Sequence, residues 1–110
     1  MPNNRDKGKV GERWLAGILR PLFPDVQRNA GTQAREGGAD LINTGKFAFE
    51  MKYGKSYVSR MNRNLLDQAI KEAKEGEVPV VVVKPHREKP FVMMQLDDFI
   101  HLIKQHEGDI

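Results

Sequence analysis

Four consecutive valines, at positions 80–83, constrain the fold of this chain more than any other feature of its sequence. Pro79 precedes the run and Lys84 follows it, so the apolar segment has the length of a strand and is too short for a helix. An uninterrupted run of β-branched residues is typical of a strand that is covered on both faces. The sequence therefore predicts a central strand with a layer of structure packed on each side.

Helix and strand patterns elsewhere in the chain supply those layers. Apolar residues at helical spacing predict three helices, at residues 8–22, at 57–75 and in a last segment that Asp97 caps. Four further strands are predicted at residues 25–28, 39–42, 46–53 and 91–96, with a hairpin turn at 43–45. The order α-β-β-β-α-β-β-α indicates an α/β fold with a central mixed sheet flanked by helices.

The chain has 110 residues, so we expect residues 1–110 to form one domain, with residues 1–7 as a flexible polar arm. Because cysteine is absent, disulfides, thiol nucleophiles and cysteine-bound zinc are excluded. No apolar run is long enough for a membrane span, and the first residues are too polar for a signal peptide. These features predict a cytoplasmic protein without a membrane partner.

Charge is divided unevenly along the chain. Residues 1–63 contain 12 Lys and Arg against 6 Asp and Glu, whereas residues 64–110 contain 6 against 9. A basic region of this kind favours a polyanionic partner such as a nucleic acid. A solvated surface of mixed charge explains the charge alone equally well.

Asp40, Glu50 and Lys52 form the constellation with the clearest chemistry. Alternate residues of a strand share a face, so Glu50 and Lys52 point away from the layer that contains Met51. The simplest hairpin register about residues 43–45 brings Asp40 close to Glu50. Two carboxylates beside a lysine make an oxygen-rich site that suits Mg²⁺, although Glu50 and Lys52 alone could be an ordinary pair on an exposed strand.

Glu12 adds a third acid from the first helix. It lies at the flank of the apolar arc of that helix, where a carboxylate needs a partner such as Lys52, another cation or a metal ion. The alternative is an acid that is favoured only by its early position in the helix.

These residues resemble a known family. Asp40 followed by Glu50-x-Lys52, with Glu12 upstream, is similar to the PD-(D/E)xK nuclease superfamily. The small size and the sequence Lys-Gly-Lys-Val-Gly-Glu-Arg at 7–13 resemble the archaeal-type and phage-encoded Holliday junction resolvases. Ala39 stands where the family has proline. The resemblance covers most of the chain and implies a restriction-endonuclease-like core.

The resemblance also implies a role for each residue. Asp40 and Glu50 would hold Mg²⁺, for which Mn²⁺ would substitute, and the Met51 carbonyl would be a further ligand. Glu12 would bind metal or water, while Lys52 would orient the attacking water and offset charge on the phosphate. The implied reaction is metal-assisted hydrolysis of a phosphodiester.

Further residues are assigned more broadly. The family often places a glutamine on the following helix, where Gln68 stands, although a polar residue at the flank of a helix is the more ordinary interpretation. Expected contacts to DNA come from a hydroxyl in the first loop and from basic side chains near the site: Lys7, Lys9, Arg28, Thr32, Arg35, Lys55, Arg60 and Arg63.

The sequence therefore predicts a Mg²⁺-dependent endonuclease that resolves four-way DNA junctions in recombination and repair, in the host cytoplasm if it is phage-encoded. Two opposed cuts need a twofold arrangement, which predicts a homodimer. Its candidate contact residues are Phe91, Met93, Met94, Phe99, Ile100 and Ile103. Another structure-specific or duplex nuclease of the superfamily, and a catalytically silent nucleic-acid-binding module, are the alternatives.

Overall fold

β4 (Val78–Lys84), which contains the four valines, is the central strand of a three-stranded sheet. It pairs in parallel with β3 (Phe47–Tyr53) and antiparallel with β5 (Phe91–Met93), so the sheet is mixed. None of the four valines at positions 80–83 exposes more than 6% of its surface. The prediction of a central strand covered on both faces is therefore confirmed.

The structure is a computed structural model that describes residues 4–30, 38–54 and 63–108, with the helical backbone alone for residues 4–7. Within these ranges the chain is an α/β domain with three helices and five strands, in the predicted order. The remaining elements are α1 (Asn4–Leu19), β1 (Gln27–Arg28), β2 (Leu41–Ile42), α2 (Arg63–Glu72) and α3 (Leu96–Glu107).

α1 and α2 cover opposite faces of β3 and β4. The α1 side holds a buried apolar cluster formed by Leu15, Ala16, Val26, Leu41, Phe49, Met51, Val80 and Val82. The α2 side holds a smaller one, formed by Leu66, Ala69, Val81 and Val83. Successive residues of each strand thus alternate between two layers, as the predicted pleat requires.

β1 and β2 form a separate antiparallel pair next to β3. The turn from β2 to β3 contains two residues in the left-handed region, Asn43 at φ 64° and Gly45 at φ 60°. Between them, the buried Thr44 donates its hydroxyl hydrogen to the Phe47 carbonyl at 2.7 Å. The connection lies where it was predicted, but β2 pairs with β1 and forms no ladder with β3, so the predicted β2–β3 hairpin is wrong.

Most element boundaries differ from the predictions by one to four residues or more, as at α1, β5 and α3. α1 spans Asn4–Leu19, whereas the sequence predicted a helix over 8–22 preceded by a flexible arm, so the backbone of residues 4–7 is helical. β5 is shorter than predicted, and the cap of α3 is Gln95. Asp97 lies in the first turn of α3, where the helix dipole also favours a carboxylate. Among the described residues, no helix has the length and apolarity needed to cross a membrane.

Candidate active site

Asp40 fastens the start of β2 to the edge of β3 through two hydrogen bonds. Its backbone N–H donates to the Phe49 carbonyl at 2.9 Å, and its Oδ2 accepts from the Met51 N–H at 2.8 Å. The Asp40 carboxylate is therefore held beside the middle of β3, next to Glu50, by these two bonds and not by the ladder of a β2–β3 hairpin. Because the N–H and C=O of one strand residue point to the same edge, the Met51 carbonyl also faces the Asp40 side.

Glu50 lies on the face of β3 that α2 covers, and it is only 7% exposed. Burial raises the pKa of Glu50 to about 8, and the charge of Asp40 and a hydrogen bond between the two side chains act in the same direction. Lys52, two residues along the same face, opposes this rise with its positive charge. With a pKa of about 8, Glu50 is therefore mainly protonated at neutral pH in the absence of a bound metal ion.

Glu12 reaches the same region from α1, on the other side of the sheet. Arg28 Nε donates to Glu12 Oε1 at 2.9 Å, which supplies the cationic partner that a carboxylate in this position requires. Burial raises the pKa of Glu12, the Arg28 hydrogen bond lowers it, and the charge of Asp40 raises it. The charge of Asp40 therefore raises the pKa of two acids on opposite sides of the sheet, Glu12 on the α1 side and Glu50 on the α2 side.

Gly11 allows α1 to bring Glu12 this close. A Cβ atom at Gly11 would lie 2.7 Å from the Tyr53 Cβ and 3.2 Å from the Met51 Cγ, both on β3. The first of these distances is shorter than side chains tolerate, so any larger residue would push α1 away from the sheet. The position of Glu12 therefore depends on the presence of glycine at position 11, directly before it.

Glu72 is a member of the site that the sequence interpretation did not include. Its Oε2 accepts from the Gly38 N–H at 3.3 Å, and its charge contributes to the raised pKa of Glu50. Glu72 stands four residues after Gln68, so both lie on one side of α2. This spacing was the one signal in the sequence for Glu72, because a helix side that brings Gln68 near a site also brings Glu72 near it.

Gln68 itself is exposed, and the described contacts do not bring it to the carboxyl groups. Of the basic residues expected to bind DNA, Arg28 is bonded to Glu12, and Arg63 pairs with Asp67 at 2.9 Å on the surface of α2. Lys9 is half-buried on α1, whereas only the backbone of Lys7 is described. Three other basic residues, Arg35, Lys55 and Arg60, and the expected hydroxyl residue Thr32 lie outside the described residues.

The donor set fits a small, hard cation that is held by few protein ligands. Within residues 4–30, 38–54 and 63–108, no group of three or more His, Cys, Asp or Glu side chains has the geometry to enclose a metal ion. Mg²⁺ is commonly bound by one or two carboxylates, with water and substrate phosphate completing its shell. Asp40, Glu50 and the Met51 carbonyl match that requirement, and the raised pKa of Glu50 indicates that its ionised form is unfavourable there unless a further cation is bound.

Comparisons of the chain with protein-family models, with curated proteins and with solved structures found no match. Fold class and site must therefore be judged from the chain itself. They define an α/β domain with a mixed sheet whose edge carries two bonded carboxyl groups, a lysine and a carboxylate–arginine pair. The nuclease superfamily and its restriction-endonuclease-like core stay predictions.

Proposed function

We propose that this protein is a Mg²⁺-dependent endonuclease that hydrolyses phosphodiesters in branched DNA, most simply in a four-way junction. One observation carries the proposal: Asp40 and the buried Glu50 share a hydrogen bond at the edge of β3, and Glu50 has a pKa of about 8. Such a pair is unfavourable in a structural role, because a buried carboxyl group without a cation lowers stability at neutral pH. Binding of a divalent cation would offset that cost.

Asp40, Glu50 and the Met51 carbonyl would hold the metal ion. When bound, Mg²⁺ supplies a Lewis acid for the phosphoryl oxygen and lowers the pKa of bound water. The residues contribute position: Asp40 is fixed by its bond to the Met51 N–H, and Glu50 is fixed by the β3–β4 ladder. Ligands on a strand of this rigidity need little rearrangement to receive a cation.

Lys52 would act on the phosphate and on the attacking water. It shares the face of Glu50, and its charge reaches the carboxyl pair, as its effect on the pKa of Glu50 indicates. An ammonium group in this place offsets the negative charge that builds on the phosphate during hydrolysis. Lys52 also orients water through its N–H donors.

Arg28 and Glu12 extend the site toward the substrate. A guanidinium group has five N–H donors, and the bond to Glu12 engages Nε, so the two Nη groups can bind phosphate oxygens. Glu12, which is bonded to Arg28, is itself close enough to Asp40 for the charge of Asp40 to raise its pKa. The net positive charge of residues 1–63 favours a polyanion on the same side of the molecule.

A cleavage assay with matched substrates tests the proposal. A four-way junction, a flap, a duplex and a single strand of shared sequence are incubated with the protein in Mg²⁺, in Mn²⁺, in Ca²⁺ and with a chelator. We expect junction cleavage in Mg²⁺ and Mn²⁺, binding with little cleavage in Ca²⁺, and none with the chelator. Equal cleavage of all duplex substrates would favour another nuclease of the superfamily. Metal-independent binding without cleavage of any substrate would favour a silent binding module.

A further inference from the structure

Asn29, directly after β1, is bonded to the stretch of chain that carries Asp40. Its side-chain Nδ2 donates to the Ala39 carbonyl at 2.8 Å, and its backbone N–H donates to the Asp40 carbonyl at 2.8 Å. Two short bonds to consecutive residues restrict both the position and the direction of the backbone at Asp40. Arg28, the partner of Glu12, is the residue before Asn29, so one short segment joins both parts of the site.

Glu72, the last residue of α2, contacts the same stretch from another element. Its Oε2 accepts from the Gly38 N–H, two residues before Asp40, at 3.3 Å. An acid at this end of a helix is unfavourable, because the helix dipole is negative there. The charge of Glu72 is also unfavourable for an ionised Glu50, since it raises the pKa of that residue. Among the described contacts, the bond to Gly38 is the one that offsets these costs.

The backbone N–H of Met51 reports where the Asp40 carboxylate lies. Residues of β3 alternate between its two edges, and Lys46 and Gly54, at its two ends, are bonded to β4 residues. Met51 is an odd number of residues from both, so its N–H points to the other edge, where it donates to Asp40 Oδ2 at 2.8 Å. Movement of the carboxylate therefore weakens this bond, and the Met51 amide then exchanges with solvent more readily.

We propose that Asn29 and Glu72 are positioning residues that hold the Asp40 carboxylate at the edge of β3. Each acts through the backbone of residues 38–40 and not by contact with a metal ion or a phosphate. Side chains that orient a metal ligand in this way tune its affinity for the metal. The inference deepens the proposed function: its consequence for cleavage rests on that function, whereas the position of the carboxylate can be measured without it.

Hydrogen exchange at the Met51 amide tests the proposal in the absence of metal and DNA. Asn29→Asp removes the side-chain donor at nearly unchanged size, and Glu72→Ala removes the acceptor. Each should speed exchange at Met51 about 3- to 10-fold, the scale for loss of one hydrogen bond. Exchange at Val82, in the centre of β4, should change little, because the sheet itself is intact.

A second substitution of Glu72 separates its bond from its charge. Glutamine keeps an oxygen that can accept from the Gly38 N–H but has no charge, whereas alanine has neither. If Glu72 acts through the bond, Glu72→Gln should exchange at Met51 as the wild type does. If its charge were responsible, Glu72→Gln would behave as Glu72→Ala.

Two control variants match these changes. Asn43 Nδ2 donates to the Asp25 carbonyl at 2.9 Å, so Asn43→Asp removes an equivalent bond and adds the same charge at the turn before β3. Glu75→Ala removes an exposed acid just after α2. Both variants should leave exchange at Met51 as it is in the wild type.

A titration with Mn²⁺ alone connects position to metal binding. Displacement of Asp40 should weaken Mn²⁺ binding about 3- to 10-fold in Asn29→Asp and in Glu72→Ala. The acid added in Asn29→Asp would by itself strengthen binding, so the direction of the change identifies its cause. Junction cleavage should require correspondingly more Mg²⁺, at unchanged affinity for DNA.

Unchanged exchange at Met51 in either Asn29→Asp or Glu72→Ala would overturn the proposal. An equal rise at Met51 and Val82 would also overturn it, because that result indicates general loss of stability. So would Glu72→Gln that exchanges as fast as Glu72→Ala. A wild type that cleaves none of the substrates would contradict the nuclease proposal alone, since the exchange measurements do not depend on cleavage.

Discussion

The two faces of β3 differ in polarity. Toward α1, Phe49 and Met51 are buried among aliphatic and aromatic side chains. Toward α2, the same strand presents Ala48, Glu50 and Lys52, two of which are ionisable. The first face has the composition of a core, whereas the second contains a charge that burial makes unfavourable.

This difference shows how a small domain holds a destabilising site. A strand anchored by one apolar face can display polar groups on the other without losing its place in the sheet. Asp40 adds a second anchor, because its bonds to Phe49 and Met51 tie the site to the backbone of the strand. Substitutions on one face of β3 should therefore change mainly activity, whereas substitutions on the other face should change mainly stability.

The largest effect is expected from the loss of a carboxylate at the polar face. Asp40→Asn should lower the cleavage rate by at least about 10⁴-fold, because the amide binds a divalent cation poorly. The amide oxygen can still accept the Met51 N–H, so the fold and DNA binding should persist. Single-turnover cleavage and a DNA-binding titration measure the two properties. Asp25→Asn, at an exposed turn, is the control, and wild-type cleavage by Asp40→Asn would contradict the site assignment.

The opposite face should respond in stability. Phe49→Ala leaves a cavity in the α1-side cluster and should lower the free energy of unfolding by about 3–5 kcal/mol. Urea denaturation measures this change, with Leu22→Ala as a control that should alter stability little, since Leu22 is mostly exposed. A small loss at Phe49 would mean that this face does not anchor the strand.

Lys52→Ala should reduce the single-turnover rate by about 100- to 1,000-fold, the scale for loss of one preorganised charge. Affinity for DNA should change little. Lys46→Ala removes a lysine just before β3, where it bonds to Gln105 outside the carboxyl site, and should leave the rate unchanged. If Lys52→Ala instead weakened binding at an unchanged rate, Lys52 would be a phosphate anchor and not a participant in hydrolysis.

A smaller effect is expected from the proton on Glu50. The folded protein has a Glu50 pKa of about 8 against an ordinary value of 4.5, so it binds this proton more tightly than the unfolded chain does. This contribution to stability is fully present below pH 4.5 and is lost as the pH rises through about 8. Glu50→Gln should therefore gain on the wild type between pH 5 and pH 9, by about 2 kcal/mol after allowance for solvent screening.

Thermal or urea unfolding in the presence of a chelator measures that gain across the pH range. Glu107→Gln, at an exposed position near the end of α3, should show no pH-dependent difference from the wild type. A gain at Glu50→Gln that does not change with pH would indicate a packing effect and would remove the evidence for a raised pKa.

Much of the fold followed from local pattern. The valine run identified β4, and alternation along β3 separated Met51 from Glu50 correctly. Helical spacing located all three described helices, because their apolar residues recur at the helical period. Pairing was harder to predict: β2 forms its ladder with β1, a choice that depends on where Asp40 and Asn29 place their backbone bonds.

The site was predictable to the extent that it lies on β3. Asp40 and Glu50 lie close together because a single short turn connects the segments that contain them, and such a turn can be recognised from a few consecutive residues. Glu72 and the Arg28–Glu12 pair depend on how separate elements meet, and spacing within one element does not contain that information. The exposure of Gln68 could not be predicted for the same reason.

The geometry of the site is sensitive to substitution of Gly11, a residue that contributes no charged group to it. Because α1 and β3 are in contact at Gly11, a single methyl group at this position would force them apart. It would tilt α1 and displace Glu12 from Arg28, which lies on β1, although every ionisable group would still be present. Natural variation at such a contact can silence an enzyme through steric displacement alone, so chains with all the expected acids are not necessarily active.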